Sequence, residues 1–419
     1  MPLFRKTISA ILTVLALVGG VRLTIPADGD QGVRRQLAFL RDELERGADT
    51  EAQALFPEGY YFLNVLYGLT WVELGRRGAD DGRAADEAAW ALARLESPAG
   101  RAPFDAAAVP PYGVFWAGWT NWLRGGLLTI RDDPAQRARL IAGSRALASA
   151  FDASSTPFLQ AYPGQAWPCD STVAAASLRL ADRVTGKPEF APVVDRWVGR
   201  ARGLLDPATG LLPHQVDPST GAALTGARGT SQAIIQRFLV DVDPELAREQ
   251  YPLFRERFLA RPLGLGPAIR EYPHGTDGVA DVDSGPLILG ISLSTTVVAL
   301  GAARVNGDAA LAGALANFGE LAGLPLSTFT TKRYAFGLVP VGDAFLAWSK
   351  AAGPWTVPAP AAPPAVISAW WRLPLLTLLL LIGLAPWLPA LRRRFTGRRA
   401  AAGIRPGPPG PEAGAPGTP

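Results

Sequence analysis

Cysteine occurs once in this 419-residue chain, at Cys169, and methionine only at Met1. Histidine occurs twice and lysine four times. A single cysteine excludes an intrachain disulfide framework and a cysteine-rich zinc site. Two histidines, His214 and His274, are too few for a three-histidine zinc centre and leave only a mixed histidine/carboxylate site open. The sequence has no Walker loop, no dinucleotide glycine fingerprint before a helix, no Gly-x-Ser-x-Gly elbow and no His-Glu-x-x-His. These absences argue against nucleotide, NAD and serine-hydrolase chemistry. No run of alternating β-branched residues is long enough for a convincing strand.

What is present divides into a body and two apolar ends. Arg5-Lys6 precedes an apolar run from Ile8 to Val21, the pattern of a signal sequence or short anchor, without a convincing cleavage site. Leu373 to Leu391 is apolar again, flanked by Trp370, Trp371 and Trp387 and followed by Arg392-Arg-Arg394, Arg398, Arg399 and Arg405. Under the positive-inside rule both termini are cytoplasmic and the body between them is extracytoplasmic. The net charge of +4 comes from these flanks, and the body itself carries about −4, which argues against nucleic acid as a partner. The expected organisation is an N-terminal signal anchor (1–26), a helical body (27–353), a Pro-rich tether (354–366), a transmembrane helix (367–391) and a basic, then Pro/Gly-rich disordered tail (392–419).

Apolar periodicity and Gly/Pro breaks predict helices over Arg34–Arg46, Tyr60–Arg77, Ala84–Leu95, Val114–Ile130, Pro134–Phe151 and Ser171–Thr185. Ala191–Leu205, Thr230–Val240, Pro244–Phe258, Leu287–Val305, Ala309–Leu321 and Asp343–Ala352 complete the set. Twelve helices in antiparallel pairs make an all-α, six-hairpin (α/α)6 toroid. A solenoid of pairs also fits, but no fixed repeat length is visible. Long loops rich in aromatic, acidic and glycine residues, Phe158–Cys169, Asp206–Gly229 and Arg270–Pro286, mark the functional face.

The densest candidate is Gln165-Ala-Trp-Pro-Cys-Asp-Ser-Thr172. Asp170 or Ser171 is a good N-cap, and a thiol at a helix N-terminus is pushed towards thiolate, while the neighbouring Asp170 opposes that. A small buried residue closing a helix start explains Cys169 equally. Asp277, Asp281 and Asp283 form an acidic cluster that reads as an acid/base pair, as a calcium loop lacking its later glutamate (Ser292 stands there), or as a helix cap. Trp116, Trp119 and Trp122 recur every three residues and, with Tyr162 and Trp167, line a pocket or fill a core. His214 and His274 lie in long loops, and Arg228, Ser231 and Gln232 open a helix after Gly229 in a manner that suits anion binding or simple capping.

Several blocks in order resemble the linalool dehydratase/isomerase family. They are Tyr112-Gly-Val-Phe-Trp-Ala-Gly-Trp119, Pro168-Cys-Asp-Ser171 with Gly186, Asp206-Pro-Ala-Thr-Gly210, Asp217-Pro-Ser-Thr-Gly221, Asp243-Pro-Glu-Leu246 with Tyr251-Pro-Leu-Phe254, and Gly275-Thr-Asp-Gly278 leading to Asp283-Ser-Gly285 and Gly307-Asp308. The resemblance covers roughly residues 36 to 325 and implies an (α/α)6 toroid. Of the family's two active-site cysteines the second corresponds to Cys169, whereas Gln160 stands at the first and Trp119 at its histidine. Glu58, Tyr60 and Tyr61 are the nearest candidates for its N-terminal aspartate and tyrosine. Losing a thiol and an imidazole removes that family's particular acid/base mechanism.

The expectation is therefore a membrane-anchored extracytoplasmic toroid acting as a lyase or isomerase on an isoprenoid or other lipid-like alcohol, without cofactor or metal. Cys169, Asp170, Asp277 and Asp283 would exchange protons. Tyr61, Trp116, Trp119, Gln160, Tyr162, Trp167, His214, Arg228 and His274 would bind substrate. The alternatives are a glycan-active or glycan-binding toroid of the envelope, and a catalytically silent scaffold.

Overall fold

The computed structural model describes residues 2–26, 29–389 and 410. Its helices are α1 (Pro2–Thr24), α2 (Gly29–Glu45), α3 (Ala48–Leu55), α4 (Gly59–Arg76), α5 (Ala84–Leu95), α6 (Pro98–Arg101), α7 (Gly113–Ile130) and α8 (Pro134–Ala153). They continue with α9 (Pro168–Thr185), α10 (Ala191–Arg202), α11 (Gly229–Val242), α12 (Pro244–Phe258), α13 (Leu293–Val305), α14 (Ala309–Ala322), α15 (Pro340–Ala351) and α16 (Leu373–Leu384). Four two-stranded antiparallel ribbons sit in the long loops: Gln215–Val216 with Ala223–Thr225, Leu259–Ala260 with Ala268–Ile269, Leu287–Ile288 with Ile291–Ser292, and Leu326–Ser327 with Lys332–Arg333.

The chain forms two units, Arg22–Arg372 and the apolar ends, Met1–Val21 with Leu373–Pro419. In the larger unit α4, α7, α9, α11, α13 and α15 contact one another in that order, and α15 closes back on α4. Outside this ring α5 packs on α4 and α7, α8 on α7 and α9, α10 on α9, α12 on α11, α14 on α13, and α2 on α15 and α4. That closure is an (α/α)6 toroid. Residue type explains the sorting. The ring helix α4, Gly-Tyr-Tyr-Phe-Leu-Asn-Val-Leu-Tyr-Gly-Leu-Thr-Trp-Val-Glu-Leu, is buried around nearly its whole circumference, whereas α2, α5 and α10 bury a single stripe. Gly118 faces the Ala174 backbone, where a Cβ would sit at 3.0 Å, so α7 and α9 approach closely.

Large side chains fill the axis below mid-height. Trp122 stacks on Trp355 at 4.4 Å and 10°, and Trp119 meets Phe238 at 5.1 Å and Trp348 at 5.7 Å. Arg237, wholly buried, donates to Glu73 at 2.8 Å beneath them. Trp355 belongs to the segment expected as a tether. Its N–H donates to Asp241 at 2.7 Å, and Pro364 O accepts from Arg255 at 2.8 Å. Pro354–Pro364 thus lies along the toroid rather than hanging free, because one tryptophan in its proline-rich sequence is a core residue.

In the smaller unit, Phe4–Thr24 is 21 residues long and apolar enough to cross a membrane, since about 20 residues span the hydrocarbon core. The helix extends well beyond the Ile8–Val21 run. Near the other end, within the expected span over 367–391, α16 has 12 residues and runs through a 3-10 turn at Ala385–Trp387 into helical Leu388 and Pro389, and residues 390 and 391 lie outside those described. Within this unit Thr13 Oγ1 donates to Gly383 O at 3.0 Å and accepts from Trp387 Nε1 at 2.9 Å. The basic segment and the tail expected over 392–419 lie outside the described residues, apart from Gly410.

Candidate active site

The N-terminal turns of all six ring helices open into one cavity of about 440 Å³. Phe62, Phe115, Trp119, Ile234, Val298 and Phe345 form its apolar wall. Glu58, Tyr162, Cys169, Asp170, His214, Ser231 and Asp283 supply the polar groups.

Asp170 reaches the cavity because α9 starts earlier than its polar residues suggest. Trp167 is the N-cap, Pro168 fills the first helical position, and Asp170 lies in the first turn. Ser171 does not cap this helix. Its hydroxyl accepts the Leu159 N–H at 2.9 Å and so ties the preceding loop to α9. That loop is pinned on its other side by Val114 N–H to Gln160 O at 2.9 Å. The close approach requires Gly113, since a Cβ there would lie 2.1 Å from Ala161 O. Pinned twice, the loop delivers Tyr162 across the cavity, where its hydroxyl donates to Glu58.

Asp283 arrives on the loop between α12 and α13. Expected as a cap, it caps nothing. Ser284 and Asp281 cap each other at 2.9 and 2.8 Å, and α13 starts later, at Leu293, with Ser292 as N-cap. A short ribbon, Leu287–Ile288 with Ile291–Ser292, occupies the start of the expected Leu287–Val305 helix. The loop is latched to α11 by Arg228, which pairs with buried Glu271 at 2.9 Å and with Asp281 at 2.6 Å. Glu271 also accepts from Thr230 Oγ1 at 2.8 Å and Thr295 Oγ1 at 3.0 Å. Gly229 permits this packing, because a Cβ there would lie 2.2 Å from Arg270 O.

The electrostatics separate these groups. Burial, then the Glu58 and Asp283 carboxylates, push Asp170 well above the usual carboxylate range. Asp283 is pushed up to about 6 by burial, with Asp281 and Glu58 adding. Burial and Asp170 also push the Cys169 thiol up. The helix-terminus effect that favours a thiolate is therefore overcome, and the half-buried thiol faces Asp170 Oδ1 at 3.8 Å. His214 is lowered to about 4 by burial and by Arg228, and its Nδ1 lies 2.6 Å from Ser231 Oγ.

The remaining candidates lie elsewhere. Tyr61 is buried behind the wall and bonds Thr120 Oγ1 at 2.7 Å. Trp116 turns away, with Nε1 on Leu95 O at 3.3 Å and Arg101 over its ring. A three-residue step rotates about 60° short of a full helical turn, so Trp116, Trp119 and Trp122 do not share one face. Gln160 stabilises its own turn by accepting the Gly164 N–H at 2.7 Å. Arg228 acts in the latch. His274 is exposed on Leu259 O at 2.9 Å. Asp277 is exposed and pairs with Arg270 at 2.7 Å. Among the described residues no group of three or more His, Cys, Asp or Glu could hold a metal ion. Glu58 entered the sequence reading only as an alignment candidate, and Ser231 only as part of a helix start suited to anion binding or capping. Their positions just before α4 and at the third residue of α11 were the available signal.

No family model and no curated protein matches the sequence. Of what the family resemblance implies, the toroid is present. Among solved structures the chain is similar to that of a GH76 α-mannanase from Bacteroides thetaiotaomicron, as its selenomethionine derivative, with 12% identity over 69% of this chain and 84% of that one and a TM-score of 0.44.

Proposed function

We propose that the cavity is an acid/base site of the lyase or isomerase type acting on a hydroxylated, largely apolar small molecule such as an isoprenoid alcohol. The observation that carries this reading is three carboxyl groups, Glu58, Asp170 and Asp283, converging on an otherwise apolar and aromatic cavity. Asp170, whose acid form burial and like charge favour, donates a proton to the substrate hydroxyl, which leaves as water. Asp283, ionised above about pH 6, takes the proton from the adjacent carbon as the double bond forms. Readdition of water at another carbon completes an isomerisation. Glu58 holds Tyr162, and the aromatic wall excludes bulk water.

Membrane anchorage through Phe4–Thr24, with the body outside the cytoplasm, accompanies this reading and rests on Arg5-Lys6 and the C-terminal arginines. A glycan-active reading is favoured by one separate observation. Two carboxyl groups, Asp170 and Asp283, share a cavity with Trp119 and Trp167, as a glycosidic bond and stacked sugars would need.

Thermal shifts against matched panels of isoprenoid alcohols and envelope-type oligosaccharides, with product analysis by gas chromatography, separate the two. A ligand at a hundred times its dissociation constant adds about 2.7 kcal/mol. Stabilisation by the alcohols with alkene formation, lost in Asp170→Asn, is the expected result. Stabilisation by oligosaccharides alone would transfer the site to the glycan class.

A further inference from the structure

We infer that the mouth of this cavity docks directly on the lipid bilayer, so that an apolar substrate enters from the membrane. The inference rests on the functional reading only for the identity of that substrate.

Exposed apolar side chains are distributed one-sidedly over the toroid. Between Gly29 and Ala352 every exposed large apolar residue among those described lies on the segments that lead into the ring helices, or on the first residue of one. None lies at the opposite end or on the outer helices. Among them are Leu55, Leu263, Leu289, Phe329, Phe336 and Leu338, with Val282 at the cavity lip. Soluble surfaces rarely gather apolar groups this way without a partner. Phe329 is fully exposed at the tip of the hairpin formed by Leu326–Ser327 and Lys332–Arg333. The tip is held rigidly: Thr328 N–H donates to Thr331 O at 2.8 Å, and Thr328 Oγ1 accepts the Thr331 N–H at 2.9 Å.

Two further observations select a bilayer as the partner. The chain enters the body at Arg22, whose guanidinium donates to Pro325 O at 2.7 Å, at the root of the Phe329 hairpin. It leaves at Arg372, which donates to Leu23 O at 3.0 Å, beside exposed Trp370. Arg22 and Arg372, the two ends of the larger unit, therefore lie close to the loops that carry the apolar rim. Secondly, the rim reaches the apolar wall of the cavity through Val282 and Val339, with exposed Asp281 and Asp283 on either side of Val282. Phe and Leu side chains at a lipid surface insert at headgroup depth.

The test uses the full chain reconstituted in vesicles of phosphatidylcholine with a minor share of phosphatidylglycerol. In a Cys169→Ser background, Phe329→Cys and Leu338→Cys carry an environment-sensitive fluorophore at the rim, and Lys187→Cys carries it at the opposite end. Spin-labelled lipids should quench the rim reporters at least about twofold more than the Lys187 reporter. Adding Leu289→Glu and Phe336→Glu should remove the quenching at 329 while the protein stays in the vesicle fraction. Equal quenching at rim and opposite end overturns the inference, as does quenching that survives the glutamate variants. Ligand responses of the unlabelled parent chain in the same vesicles, with Cys169 intact, report on the functional reading independently. Quenching without any response to isoprenoid alcohols leaves the docking intact and removes the substrate, whereas a response without quenching overturns the docking alone.

Discussion

Ser231 Oγ lies 2.6 Å from His214 Nδ1, joining the first turn of α11 to the ribbon loop before it. With the imidazole lowered to about 4, chiefly by burial, His214 is neutral at physiological pH and serves as a fixed dipole in the cavity wall.

That assignment has a definite sign in pH. The unfolded imidazole binds a proton below about 6.5, and the folded one only below about 4. The stability His214 contributes is present above about pH 6.5 and lost as the pH falls towards 4, by on the order of 3 kcal/mol. His214→Gln should remove this component. Urea unfolding of both proteins at pH 7 and pH 4 measures it, and an unchanged difference between them would sink the assignment.

Asp283 works in the opposite direction. Its folded pKa of about 6 lies above the ordinary 3.8. The carboxylate therefore costs stability as the pH rises through that window, by an amount that solvent screening reduces because the residue is itself exposed. Asp283→Asn should be more stable than the parent at pH 8 and equal to it near pH 3.8, while losing turnover. A variant less stable than the parent at pH 8 would show that the carboxylate is held by favourable partners instead.

Cys169 should behave as a thiol, not a thiolate, because burial and Asp170 raise it. Its alkylation by iodoacetamide at pH 8 should be at least about tenfold slower than that of a free thiol, since only the thiolate attacks. Rapid alkylation at neutral pH would restore the helix-terminus effect as dominant.

Trp355→Ala should destabilise the toroid by about 3–5 kcal/mol, the cost of emptying a tryptophan-sized site in a core. The ring lost is stacked on Trp122. Ending the chain before Pro354 should cost at least as much. A chemical-unfolding midpoint unmoved by either change would return this segment to the status of a tether.

Much of the ring was legible beforehand. Pro134, Pro244 and Ala309 each begin a helix at the expected residue, because Asp133, Asp243 and Asp308 are caps whose side chains accept first-turn N–H groups. The start of α13 was not legible. Leu287 to Leu293 is as apolar as a helix, and the left-handed pair Leu289 and Gly290, at φ 54 and 76, with Ser292 capping, turns it into a ribbon. Trp355 was hidden for a similar reason: proline-rich composition outweighs one aromatic residue until the other side of the stack is known.

Local sequence by itself determined most of the helices, the caps at Asp133, Asp243 and Asp308, the two apolar ends and the chemical nature of Cys169-Asp170 and Asp283, because each depends on spacing and side-chain type within a few residues. Tertiary structure decided which of those groups share a cavity. Glu58, Asp170, His214 and Asp283 come from segments separated by many tens of residues and meet only because six ring helices close and direct their first turns to one mouth. It also decided protonation. Burial and like charge, which no local pattern contains, raise Asp170 and Cys169, and burial with Arg228 holds His214 low and neutral.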